Sequence, residues 1–126
     1  MKIIPILLLS LSTSILWADD FGDISIKDLQ KAIAEKKVAI IDVNGGKSFK
    51  KAHIPGAIDF SSQSENLHQL LPENKNTLIV SYCGGPSCRA YLKGANAASS
   101  LGYKNIKHLS AGISGWKKAG ALTESK

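Results

Sequence analysis

The chain has 126 residues, the length of one domain, and at that size a single core needs neither disulfide staples nor a metal. Its composition, 44% hydrophobic and 21% charged, is that of an ordinary globular protein and excludes a disordered or fibrous chain. The formal net charge of +6 is scattered as single lysines and the pairs Lys36-Lys37, Lys50-Lys51 and Lys117-Lys118, with no basic block interleaved with aromatics. That pattern argues against nucleic acid as a partner and for a solvated basic face that steers small anions.

The N-terminus differs in kind from the rest. Met1-Lys2 brings one positive charge, residues 3–16 are almost wholly apolar or hydroxyl-bearing, and Ala18 stands before the acidic pair Asp19-Asp20. A basic start, a short apolar stretch and a small residue at the cut predict a secretory signal peptide over residues 1–18, followed by one domain over 19–126. The apolar stretch falls short of the roughly 20 residues that a transmembrane helix needs. Left uncleaved, it would anchor the domain to a membrane. Either form works outside the cytoplasm, and the chain is expected to be periplasmic or secreted.

Residues 23–26 read as a short strand or the lead-in to a helix. Residues 27–36 place Leu29, Ala32 and Ile33 on one face at helical spacing. Val38-Ala39-Ile40-Ile41-Asp42-Val43 is a continuous run of the kind buried on both faces of a sheet. Asn44-Gly45-Gly46 ends it, residues 48–52 make one helical turn, and His53-Ile54-Pro55-Gly56 is a turn signature. A third short strand is expected over 57–60 and a helix over 65–71, stopped by Pro72. Residues 77–82 form a second fully buried strand, and 83–88 a loop rich in Gly, Pro and Ser. An Ala-rich helix follows over 89–101 with Gly102 at its C-cap, then a strand over 105–109 and a helix over 114–119. Strands alternating with helices, two of them apolar on both faces, predict an α/β domain with a mostly parallel sheet. In such a sheet the site lies beyond the carboxyl ends of the strands, where residues 83–88 fall.

The chemistry concentrates in that loop. A cysteine at the end of a buried strand, followed by Gly84-Gly85 and a helix, sits at the positive end of a helix dipole, and glycines let successive N–H groups turn inward around an anion. A thiolate at Cys83 is such an anion, so its pKa is expected to fall below the free value of about 8.5. Pro86 offers no N–H and stiffens the loop. Arg89 adds a fixed positive charge at the far rim.

Two further stretches complete a pattern. One is Ile41-Asp42-Val43, then Phe49, then His53-Ile54-Pro55-Gly56-Ala57-Ile58; the other is Val80-Ser81-Tyr82-Cys83, Gly102-Tyr103-Lys104-Asn105-Ile106, Leu109-Ser110-Ala111-Gly112 and Gly115-Trp116. In order and spacing these resemble a rhodanese-like domain over about residues 22–120. The resemblance implies a five-stranded, mostly parallel sheet flanked by helices, with the catalytic cysteine, here Cys83, opening the loop after the fourth strand. It implies a sulfurtransferase: that cysteine takes a sulfane sulfur from a small donor such as thiosulfate, holds it as a persulfide, and passes it to a thiol or other thiophilic acceptor. The substrate-binding loop would be Gly84, Gly85, Ser87, Cys88 and Arg89, whose backbone amides stabilise the bound sulfur without metal or organic cofactor. Three departures leave the nucleophile untouched, and the last two bear on the donor. Arg89 stands six positions after Cys83, one more than the common loop, and no cation lies between Cys83 and Cys88. Asn44 stands where an arginine often follows the Asp-Val pair.

Cys88 leaves three readings open. It is a resolving thiol that attacks a persulfide or sulfenic acid on Cys83, or half of a permanent disulfide that blocks Cys83, or an inert buried thiol. The functional classes follow: a sulfurtransferase, a thiol–disulfide redox protein using the Cys83–Cys88 pair, or an idle binding module. The Cys-to-Arg spacing also permits a phosphatase, but no Asp in the loop offers a general acid. Asp42 ends a buried strand and needs a partner, which favours a structural role near the site. His53 reads as a hydrogen-bonder of its turn. His68 and His108 share no ligand spacing with each other or with the cysteines, so no zinc site is expected. Phe49 and Trp116 read as core or pocket wall, Gly112 and Gly115 as backbone requirements.

Overall fold

The computed structural model describes residues 21–126, and the expected signal peptide lies outside the described residues. Five strands and six α-helices alternate: β1 (Gly22–Asp23), α1 (Ile26–Ala34), β2 (Val38–Asp42), α2 (Gly46–Lys51), β3 (Ile58–Asp59), α3 (Phe60–Gln63), a 3-10 turn (Ser64–Asn66), α4 (Leu67–Leu70), β4 (Leu78–Tyr82), α5 (Tyr91–Ser100), β5 (Ile106–His108) and α6 (Gly112–Lys118). The strands form one sheet in the order β1-β5-β4-β2-β3. Every pairing is parallel, so the expectation of a mostly parallel sheet holds and is exceeded.

The two central strands explain why the sheet is buried on both sides. Successive side chains of a strand point to opposite faces. Ile40, Val80 and Tyr82 fall on one face and pack with Leu29 of α1, Trp116 of α6, Ile24, Ile54 and Leu109. Ile41 and Ile79 fall on the other and pack with Leu67 of α4, Leu71, Ala98 of α5 and Tyr103. Ser25 caps α1, its hydroxyl accepting the Asp28 N–H at 3.0 Å, so residues 23–26 serve as both strand and helix lead-in.

The stretch after β3 departs from expectation. In place of one helix over 65–71 the chain makes α3, a 3-10 turn and α4. The cause is Asp59, whose carboxylate accepts the Ser61 N–H at 3.1 Å, the Ser61 hydroxyl at 2.7 Å and the Ser62 hydroxyl at 3.1 Å. That cap starts a helix directly from the end of β3, in a polar stretch with no apolar period to announce it.

Between β2 and β4 the chain order reverses, because β3 lies to one side of this pair and β5 and β1 to the other. Asp42 and Tyr82, the last residues of those strands, are paired in register. Ligand crevices of open parallel sheets form at this switch point, beyond the carboxyl ends of the strands.

Candidate active site

Cys83 is the first residue beyond β4 and is 3% exposed. It is joined to Cys88 by a disulfide that closes the loop, with the two Cα atoms 6.3 Å apart. In this oxidised form Cys83 carries no ionisable thiol. The expected thiolate therefore belongs to the reduced protein, and of the three readings of Cys88 the inert thiol is set aside.

The first half of the loop is fastened from α6. Ile113 N–H donates to the Cys83 carbonyl at 2.9 Å and Ser114 N–H to the Gly84 carbonyl at 3.0 Å. This approach requires glycine at position 112: its φ is +61°, and a Cβ there would lie 2.5 Å from Gly84 C and Gly85 N. Within the loop, Cys88 N–H donates to the Gly85 carbonyl at 3.1 Å. Among the described residues, the N–H groups of Gly84, Gly85 and Ser87 donate to no protein acceptor. With their carbonyls drawn toward α6, Cys83 and Gly84 are held in one orientation, and the loop keeps three donors uncommitted.

The far end differs from expectation in one respect. The helix begins at Tyr91 rather than Arg89, so exposed Arg89 belongs to the loop. The Ser81 hydroxyl donates to the Tyr91 carbonyl at 2.7 Å and ties the start of α5 to β4. The Tyr91 ring stacks on His108 at 4.2 Å between centroids. Neither contact has a signal in residue spacing, since the first joins β4 to the start of α5 and the second depends on the β4–β5 register that sets His108 beside Ser81.

Asp42 is fully buried and holds three segments together. One oxygen accepts the Asn44 N–H at 2.8 Å and the other accepts the Tyr82 hydroxyl. The Tyr82 oxygen in turn accepts the Ile54 N–H at 3.0 Å, linking β2 and β4 to the turn at 53–56. Burial raises the Asp42 pKa above the ordinary carboxylate value, and the bonds from Tyr82 and Asn44 pull it back only partly. Burial, and then the Asp42 charge, push the Tyr82 hydroxyl well above its usual range. His53 is occupied by its turn: Nδ1 lies 2.6 Å from the Phe49 carbonyl, the ring stacks on Phe49, and Nε2 faces Glu124 at 3.5 Å.

A cleft of about 560 Å³, lined by Phe49, Ala57, Ile58, Asp59 and Leu70 among others, shares no residue with the Cys83 loop. Its walls carry no cysteine. Among the described residues no cluster of three or more His, Cys, Asp or Glu is arranged to hold a metal ion.

An all-parallel five-stranded sheet with a cysteine loop at its switch point is the arrangement that defines a family, and comparison with known proteins agrees. Residues 25–119 match the rhodanese-like domain, and the chain belongs to that family. It is 30% identical over 107 residues to the thiosulfate sulfurtransferase GlpE of Shewanella oneidensis, covering 80% of this chain and 97% of that protein. It is also 36% identical over 106 residues to arsenate reductase 2.1 of rice, covering 75% of this chain and 65% of the relative. Among solved structures, the rhodanese-like domain of the Anabaena protein Alr3790 superposes with a TM-score of 0.66 at 20% identity, covering 83% of this chain and 80% of that one.

Proposed function

We propose that the protein is a sulfurtransferase in which reduced Cys83 takes a sulfane sulfur from a small donor, holds it as a persulfide, and passes it to a thiol or other thiophilic acceptor. The observation that carries this reading is the loop itself. Cys83 stands at the switch point with its carbonyl tied back to α6, and the N–H groups of Gly84, Gly85 and Ser87 are left without protein partners. Those donors suit a thiolate or an anionic terminal sulfur, which charge-assisted hydrogen bonds stabilise strongly. Asp42 and Tyr82 hold the strand ends beneath the loop and take no part in the transfer. An exported domain, periplasmic or secreted, would meet conditions under which the observed disulfide persists. Reduction is then the first step of activity.

The test is mass spectrometry of the reduced protein after addition of thiosulfate, with cyanide as acceptor in a parallel rate assay. Wild type is expected to form thiocyanate, and Cys88→Ser, which cannot close the disulfide, to gain one sulfur on Cys83; Cys83→Ser should do neither. The oxidised protein should be inactive until a dithiol is added. Arsenate is the control substrate, because the rice relative bears that name and Arg89 lies six positions after Cys83. Faster oxidation of the cysteine pair by arsenate than any sulfur loading would defeat the sulfurtransferase reading.

The disulfide itself favours a second reading, a thiol–disulfide redox protein using Cys83 and Cys88 as a pair. That reading requires equal loss of activity from Cys83→Ser and Cys88→Ser in a dithiol exchange assay. A sulfurtransferase with an external acceptor loses loading of sulfur only with Cys83→Ser.

A further inference from the structure

We propose that Cys88 is a resolving thiol that displaces the sulfur held on Cys83, so that the protein releases hydrosulfide and relies on an external dithiol to turn over. This rests on the reading of Cys83 as the sulfur carrier. The loop already brings the Cys88 sulfur to bonding distance of the Cys83 sulfur while β4 and α6 remain in place. A sulfane sulfur on Cys83 is attached to the very atom that Cys88 reaches.

The two ends of the bond also differ. Cys83 is nearly sealed and its carbonyl is fixed, whereas Cys88 is half-buried beside exposed Pro86, Ser87 and Arg89. The exchange therefore has a direction. An incoming thiolate meets Cys88 first, and Cys83 departs as the leaving thiolate into a loop with three unclaimed N–H donors. A leaving thiol of lower pKa departs faster.

The cycle balances as follows. Thiosulfate transfers its outer sulfur to the Cys83 thiolate, giving the persulfide and sulfite. The Cys88 thiolate then attacks the Cys83 sulfur, and the bond from Cys83 to the outer sulfur breaks. Its electron pair leaves with that outer sulfur, which keeps the persulfide proton and departs as hydrosulfide. The transferred sulfur gains two electrons, and the two cysteine sulfurs lose one each in forming the disulfide. A dithiol reductant attacks Cys88, passes through a mixed disulfide, and restores both thiols while becoming a disulfide itself.

The experiment is a single turnover under anaerobic conditions. Fully reduced protein, with no added thiol, receives one equivalent of thiosulfate or, in parallel, of benzenethiosulfonate. Wild type is expected to release hydrosulfide in step with the appearance of the Cys83–Cys88 disulfide. Cys88→Ser, with its fold checked by circular dichroism, is expected to hold the sulfur as a persulfide on Cys83, with hydrosulfide falling to the protein-free level. A wild-type persulfide that persists beside a free Cys88 thiol would overturn the inference and leave the sulfurtransferase standing. Hydrosulfide released with no matching disulfide would overturn it too. If neither donor adds sulfur to Cys83 in either protein, the inference and the reading beneath it both fall.

Discussion

A methyl group at position 112 would sit 2.5 Å from backbone atoms of Gly84 and Gly85, and backbone cannot yield as a flexible side chain can. The residue is also in left-handed conformation, where a non-glycine is strained by about 1–3 kcal/mol. Gly112→Ala is therefore expected to push α6 off the loop and break the bonds to the Cys83 and Gly84 carbonyls. Misplacement on the ångström scale costs on the order of a hundredfold in rate, and that loss should be read in the loading of reduced Cys83 by thiosulfate, with secondary structure retained. Asp42 is a test of a different kind. Its pKa is raised in the folded chain above the ordinary carboxylate value, so the native state binds this proton more tightly than the unfolded chain does. The stability it contributes is full below the ordinary carboxylate value and is lost as pH rises through the raised one. Urea unfolding of wild type and Asp42→Asn from pH 4 to 7 should accordingly show the wild-type advantage shrinking as pH increases. A gap that widens with pH would reverse the assignment.

At the scale of elements, α5 is set by what it lies against. A Cβ on Gly94 would come within 2.5 Å of the Ser81 hydroxyl, 2.9 Å of Ile41 and 3.2 Å of Val43. The hydroxyl is already committed to the Tyr91 carbonyl and cannot swing away freely. Alanine is the better helix former by about 1 kcal/mol, yet Gly94→Ala is expected to destabilise the protein by roughly 1–3 kcal/mol through overpacking, measured by denaturant unfolding. The same helix marks the limit of what a sequence discloses. The runs at 38–43 and 77–82 announced themselves as strands because both faces are apolar, and both are central in the sheet. Gly94 gave no signal, since the reason for it lies across the sheet at Ser81 and Ile41. The start of α3 was hidden likewise, because a cap at Asp59 leaves no periodicity to read. In the loop, residue types alone marked Cys83 and its glycines, but the fastening from Ile113 and Ser114 belongs to tertiary structure. Whether two cysteines five residues apart are joined depends on how tightly the loop curls, and spacing leaves that open.

For the whole molecule, the disulfide is a modest reinforcement. It closes a short segment, since Cys83 and Cys88 are separated by 5 positions. On the chain-entropy account such a crosslink contributes about 2 kcal/mol. Reduction is therefore expected to lower the melting temperature by on the order of 5–10 °C without unfolding the protein, because both packed clusters are built without either sulfur's bond. Calorimetry with and without a dithiol checks this. A reduced chain that fails to fold would show that the loop is a staple, incompatible with a sulfur carrier that must cycle through its open form.

The fastening from α6 grips only the root of the loop, at Cys83 and Gly84, while its tip at Pro86 and Ser87 stands exposed. Opening the sulfur–sulfur bond thus frees one end and not the other: the nucleophile keeps its station while its neighbour gains room to travel. Such a lopsided hinge lets a bulky reductant pull Cys88 outward without dragging the reactive centre along, and amide exchange should quicken on reduction at Cys88, whose N–H the Gly85 carbonyl holds in the closed loop, while Ile113 and Ser114 stay slow.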